Sequence, residues 1–180
     1  MSLPMSLPDA RGFTLAEVLV ALFVVALGLA GAASLQTLAL RSGREAALLL
    51  DATRLAQSLA ERMRANPAAL ALDDGANPYL DLDYDAAGGA PAAVAPCYAD
   101  AACSPAALAR FDLYEVADAV AGSLPGGRIL VCRDGTSAAP AWACDHDAAA
   151  PLIVKLGWRR PGEADAAAPK LMLPLPGAPS

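Results

Sequence analysis

The sequence predicts an α+β fold: one long N-terminal helix, apolar in its first half and amphipathic in its second, packed on an antiparallel β-sheet head that carries one extra helix. Three observations predict it. Val18 to Ala33 is an unbroken run of apolar residues and glycines. Arg44 to Arg64 continues without proline or glycine and repeats its apolar residues at helical spacing. From Arg128 onward the chain breaks into short β-rich runs divided by turn residues.

The apolar run is extended backwards by Phe13 and Leu15 and forwards by Leu35 and Leu38. A bilayer core takes roughly 20 apolar residues in a helix, and a backbone in lipid must satisfy its own hydrogen bonds. Residues 13–40 are therefore expected to form a transmembrane helix, behind a short leader at 1–12. A secretory signal would have a shorter apolar core of about 7–15 residues and a small-residue cleavage site behind it. The stretch Ala30–Ala33 could mimic such a site. Glu17 alone interrupts the apolar pattern. A carboxylate at a transmembrane helix centre costs roughly 2.5–3.5 kcal/mol on insertion scales, so Glu17 is a functional candidate.

Residues 41–66 are expected to continue the helix. Leu48, Ala52, Leu55, Leu59 and Met63 fall on one face, and the charges fall mostly elsewhere. Asn66-Pro67 then turns the chain out of helix. A helix from 13 to 65 would be a rod of roughly 80 Å. Its amphipathic half should lie against a head formed by residues 67–180.

Within that head, residues 67–103 read as a connector rich in Ala, Asp, Gly and Pro. Asp81, Asp83 and Asp85 alternate there as in a calcium loop, but Ala86 and Ala92 stand where such a loop needs glycine and glutamate. A solvated acidic loop is the reading. Residues 104–122 read as a helix, with Ser104 as N-cap, Pro105 at its first position and Gly122 as its stop. Leu108, Phe111, Leu113, Val116 and Val120 form its apolar face. Residues 128–175 read as a β-meander of Arg128–Asp134, Ala141–Asp145, Leu152–Arg160 and Lys170–Leu175, with Pro174 tolerated only at a sheet edge.

At 180 residues the chain supports one domain plus the apolar segment. Its mean hydropathy is +0.40, but only 5% of residues are aromatic, so the head's core is modest. A net charge of −6 argues against binding nucleic acid by neutralising phosphates. Arg128, Arg133, Lys155, Arg159, Arg160 and Lys170 form a diluted basic set.

Cys97, Cys103, Cys132 and Cys144 all follow the apolar segment. An even number in a small exported domain reads as a disulfide framework, and the intervals do not match zinc spacing. Three pairings are open. Cys97–Cys103 with Cys132–Cys144 is preferred, because each pair brackets a turn-rich segment. No metal or cofactor is expected. His146, the sole histidine, lies in Cys-Asp-His-Asp without a nucleophile in an elbow motif. Gly88-Gly89 and Gly126-Gly127 match no nucleotide loop. Trp142 and Trp158 read as core or cross-strand residues. No enzyme is expected.

The order Gly12-Phe13-Thr14-Leu15-Ala16-Glu17 ahead of a full-length apolar helix resembles the class III signal of type IV pilin-like proteins. The resemblance implies that a prepilin peptidase cuts after Gly12 and methylates the new terminal Phe13. It implies a type IV pilin-like fold. It also implies that Glu17, fifth in the mature chain, is the assembly contact that pairs with a neighbouring subunit's terminal amine. A buried carboxylate in lipid gains most from a buried cation, so the chemistry is sound.

Further along, LAERMRANP (Leu59–Pro67), the Cys-Ser-Pro helix and LPGGRILVC (Leu124–Cys132) are similar in order and spacing to the type IV pilus modification (PilV) family of minor pilins. Together with the signal and apolar helix, Gly12–Gln36, that likeness covers about half the chain. It implies a low-abundance subunit that joins other minor pilins and the major pilin in a tip or priming complex. Other implied partners are the prepilin peptidase, the inner-membrane assembly platform and a tip adhesin. The leader's weak positive charge and Ala16, where a larger apolar residue is common, depart from the pattern. Arg41 and Arg44 would by charge count place the C-terminal side in the cytoplasm. The cysteines and the cytoplasmic cleavage of prepilin leaders favour a periplasmic head on a single-pass inner-membrane anchor, delivered later to the filament. Alternatives are a minor pseudopilin of a type II secretion system, a DNA-binding minor pilin and an anchored scaffold unrelated to pili.

Overall fold

A computed structural model describes residues 12, 14–98, 102–135, 140–145, 147–160, 162–163 and 168–177. Phe13 and His146 lie outside the described residues. The chain divides into two compact units, Met1–Arg44 and Glu45–Ser180.

Helix α1 runs Leu15–Ala65. In the first unit every described helical residue is exposed, including Leu19, Leu22, Phe23, Val24, Leu29, Leu35 and Leu38. By length and composition this helix can cross a membrane. Ser34 donates to the Gly31 carbonyl and Thr37 to the Ala33 carbonyl, so these hydroxyls are satisfied within the helix.

The second unit is built on a four-stranded antiparallel sheet, β1 (Asp83–Asp85), β2 (Arg128–Arg133), β3 (Leu152–Gly157) and β4 (Leu171–Pro174), ordered β1-β2-β3-β4. The register pairs Val131 with Val154 and Val154 with Leu173, and Leu130 with Lys155 and Lys155 with Met172. Side chains alternate faces along a strand. The first set therefore turns to one face and the second to the other. Ile129, Val131, Leu152, Val154 and Leu156 form a core with Ala52, Ala56, Leu59, Ala60 and Met63 of α1 and with helix α3 (Pro105–Ser123). The buried face of α1 is made by Ala52, Ala56, Leu59, Ala60 and Met63. The expected Leu48 and Leu55 lie at its margin, half-buried.

Helix α3 begins as the sequence predicts. Ser104 accepts from the Ala107 N–H at 3.2 Å and Pro105 occupies the first turn. It runs one residue past Gly122, to Ser123. The turn into β2 needs its glycine, because Gly126 has φ +52° and Arg159 occupies the space a Cβ would take.

Three expectations are corrected here. Residues 67–103 are more structured than a connector: helix α2 (Pro67–Leu70), a 3-10 turn at Pro78–Asp81 and β1 lie within them. Asn77 starts that turn by accepting from the Tyr79 N–H, and Tyr79 is fully buried. One aromatic anchor thus orders an otherwise polar stretch. Asp83 and Asp85 keep their side chains exposed while their backbone pairs with β2.

Ala141–Asp145, expected as a strand, is a loop with a bend at Trp142. The carbonyls of Ala141 and Ala143 accept from the Lys155 ammonium, which takes acceptors a ladder would need. Trp142 is accordingly in that loop, and Trp158 follows the end of β3, where it is buried. Finally, Lys155 does not contribute to a basic surface: it has no exposed area. β4 lies at a sheet edge and ends in Pro174, a position that requires no ladder N–H.

Candidate functional site

The N-terminal motif is held by a reciprocal hydrogen-bond box. The Thr14 hydroxyl accepts from the Glu17 N–H at 3.2 Å. Oε2 of Glu17 accepts from the Thr14 N–H at 2.9 Å and from the Thr14 hydroxyl at 3.0 Å. Thr-x-x-Glu is a capping box, and it satisfies donors that the first turn of a helix leaves free. The carboxylate sits where the helix dipole favours negative charge. Sequence reasoning singled out Glu17 but passed over Thr14, although the spacing of the box was legible. Gly12 is exposed, and nothing lies within 4 Å of where a Cβ would project. Phe13 lies outside the described residues, so no geometry relates it to Glu17.

The second unit carries the disulfides. Cys97 bonds Cys103 with a Cα–Cα separation of 5.9 Å, and Cys132 bonds Cys144 with 6.3 Å. The first closes the segment just ahead of α3. Within it Tyr98 sets its ring edge-on to Phe111 at 4.8 Å and donates its hydroxyl to Glu115. The second ties the 140–145 loop to the outer face of β2. There Trp142 lies against Gly157, where a Cβ would come within 2.8 Å of its ring. Arg128 stacks over the same ring at 4.5 Å. A groove of about 520 Å³ opens beside this loop, walled by Asp74, Asp83, Arg128, Arg133 and Trp142.

A polar network joins α1 to α3. Arg62 donates to Asp112 at 2.8 Å and pairs with Glu115 at 2.6 Å. Tyr79 donates its hydroxyl to Asp112 at 3.2 Å, and Asn66 donates to the Tyr79 oxygen and to the Pro105 carbonyl. Tyr98, and then Arg62, hold the Glu115 carboxyl below the usual carboxylate range. Burial, chiefly, pushes the Tyr79 phenol up to about 12. Asn66, read only as a helix breaker, is in fact a buried donor at the junction of three segments.

The basic set is largely neutralised in place. Arg128 pairs with Asp83, Arg133 makes a two-point contact with Asp74, Arg160 pairs with Glu45, and Lys155 pairs with buried Asp134. Lys170 lies over the Trp158 ring at 5.1 Å. Asp81, Asp83 and Asp85 form no metal-binding group among the described residues.

Residues 7–33 match the prokaryotic N-terminal methylation motif. Residues 34–114 match the family described as Type IV pilin Tt1218. No curated protein and no solved structure matches the chain. The two matched segments adjoin: one covers Gly12, Phe13 and Glu17, the other the amphipathic half of α1 and the first half of α3, to Tyr114. An N-terminal methylation motif, an apolar helix that fits a membrane anchor, and a long helix with an antiparallel sheet and one extra helix are consistent with a type IV pilin fold. Over residues 34–114 the chain is similar to a type IV pilin family, and a methylation motif of residues 7–33 stands directly ahead of that stretch.

Proposed function

We propose that this chain is a minor pilin that takes part in starting and assembling the type IV pilus, within a tip or priming complex of minor pilins. One observation carries the reading: the Gly12–Glu17 motif opens a helix whose first half has no buried residue. Such a helix is complete only in lipid or among other helices. Gly12 supplies an open, side-chain-free position for cleavage, and Phe13 becomes the methylated terminus. Glu17, fixed by Thr14, supplies the carboxylate that meets a neighbour's terminal amine. The head stays in the periplasm, where its disulfides are stable. The partners proposed are the prepilin peptidase, the inner-membrane assembly platform, the major pilin, other minor pilins and a tip adhesin. The order of segments along the head supports a subunit of the PilV kind. A DNA-binding pilin has less support, because Lys155 is buried and Arg128, Arg133 and Arg160 are already paired with carboxylates.

The test is the N-terminal sequence and mass of the full chain from membranes with and without active prepilin peptidase. The expected product begins at N-methylated Phe13 only when the peptidase is present. A chain that begins upstream of Gly12 in both membranes, or that is cut near Ala33, overturns the proposal. Co-purification then separates the two assembly systems. Recovery with pilus subunits supports the minor pilin, and recovery with type II secretion pseudopilins moves the chain to the pseudopilin reading.

A further inference from the structure

The outer face of the sheet poses a problem that the pilin reading does not absorb. Lys155 lies in the middle of β3, wholly buried beside buried Asp134. An ion pair of this kind is a poor stabiliser compared with apolar residues of the same volume, because both charges must be desolvated. Its geometry shows another use. An ammonium has three N–H donors. Here they go to the Asp134 carboxylate, to the Ala141 carbonyl at 2.9 Å and to the Ala143 carbonyl. Two of the three acceptors therefore belong to the loop that carries Cys144.

We propose that Lys155 is the internal template of the Cys132–Cys144 disulfide. It seats the 141–144 segment on the outer face of the sheet independently of the sulfur–sulfur bond, and so selects this pairing from the three that four cysteines allow. With the carbonyls of Ala141 and Ala143 gripped, Trp142 and Cys144 both reach the sheet. Trp142 settles on Gly157 beside Arg128, and Cys144 meets Cys132. The disulfide fixes the segment at one point only. The ammonium fixes its register at two carbonyls, and it stands on β3, the strand hydrogen-bonded beside Cys132. Asp134, directly after β2, pairs with the ammonium and aims it. Closing the bond removes one proton and one electron from each thiol. A small disulfide such as oxidised glutathione takes up both electrons and both protons, and leaves as two thiols.

The full chain in detergent is reduced with a phosphine, reoxidised with oxidised glutathione and quenched by alkylation. The pairs are then mapped by peptide mass spectrometry. The double variant Lys155→Met/Asp134→Leu keeps the volume and leaves no buried charge unpaired. Its yield of Cys132–Cys144 should fall by about threefold or more, with a matching rise in pairs to Cys97 or Cys103, because the effective concentration of the two thiols is lost. An unchanged yield overturns the proposal. A second arm does not depend on that variant folding. With Lys155 in place, Cys132→Ser/Cys144→Ser should leave the loop docked, so that chymotrypsin cleaves after Trp142 within about twofold of the parent rate. Cleavage at the rate of an unstructured peptide would show that the disulfide alone holds the loop, and the template would be wrong.

Discussion

The two halves of α1 share one backbone geometry and differ in where their partners lie. From Leu15 to Arg44 no residue is buried, and from Val18 to Ala33 every exposed residue is leucine, valine, alanine, phenylalanine or glycine. From Glu45 to Ala65 five residues are buried and the charged ones are paired: Asp51 with Arg54, Glu61 with Arg64, Arg62 with Asp112 and Glu115. Burial of apolar surface stabilises by about 25 cal/mol per Å² wherever the covering atoms come from. The second half finds its cover inside the chain. The first half must find it outside, in lipid or in other subunits. A helix that is apolar all round is therefore an instruction about environment, and an amphipathic one is an instruction about fold.

The contrast breaks most visibly at core positions. Leu59 is fully buried between α1 and the sheet, whereas Leu29 is exposed. Leu59→Ala should destabilise the head by about 2–5 kcal/mol, the usual cost of a large-to-small change with its cavity. Leu29→Ala should leave head stability within about 0.5 kcal/mol of the parent. Urea unfolding of the full chain in detergent, followed by tryptophan fluorescence, measures both. Equal losses would mean that the two halves are not energetically separate.

A smaller effect is expected where α1 meets α3 through charge. Asp112 is buried and accepts from Arg62 and Tyr79. Asp112→Ala removes the acceptor for a buried phenol but leaves Arg62 its Glu115 partner. The expected cost is about 1–3 kcal/mol, the penalty for an orphaned buried donor. A double-mutant cycle with Tyr79→Phe should show that the two losses are not additive; additive losses would mean the network acts as isolated pairs.

The same network should respond to pH at both ends. Glu115 has a depressed native pKa, so the fold favours its charged form. That contribution is complete above the unfolded value of about 4.3 and is lost as pH falls through the native value. Glu115→Gln should flatten this part of the acid limb of a Tm-against-pH curve. Tyr79 is the reverse case. Its native pKa of about 12 exceeds the ordinary phenol value, so its contribution is complete below that value and is lost as pH rises toward 12. Tyr79→Phe should remove the corresponding alkaline loss. Identical limbs in variant and parent would show that neither group is linked to folding.

Much of this was legible in the residues because it rests on period and punctuation. The apolar run, the amphipathic continuation and the Ser104-Pro105 helix start are local patterns, and the chain folds as they read. What was not legible depends on which partner a backbone group meets. Ala141–Asp145 has strand composition, but its carbonyls meet an ammonium that stands twelve or more residues away in sequence. Asp83–Asp85 has loop composition, but it meets the open edge of β2. Lys155 looked like a surface cation on an alternating strand. Only the loop folded over that face makes its position interior. At the N-terminus, Glu17 stood out because it breaks the apolar pattern, and Thr14 did not because a threonine breaks nothing.

The smallest effect sits at the point where the two environments change. Glu45 is the first residue of the second unit and pairs with Arg160 at 3.0 Å. Arg160, chiefly, holds its carboxyl below the ordinary range. Both side chains are substantially exposed, 37% and 56%, so water and salt screen the pair. Glu45→Gln should cost no more than about 0.5 kcal/mol of head stability, and the difference should vanish in high salt. The sign with pH follows from the depressed pKa: the difference between parent and variant exists above the unfolded value and closes as pH falls through the native one. A loss of several kcal/mol, insensitive to salt, would contradict this. It would mean that the start of the second unit is held as firmly as Leu59, and that the change from external to internal cover along α1 is abrupt rather than graded.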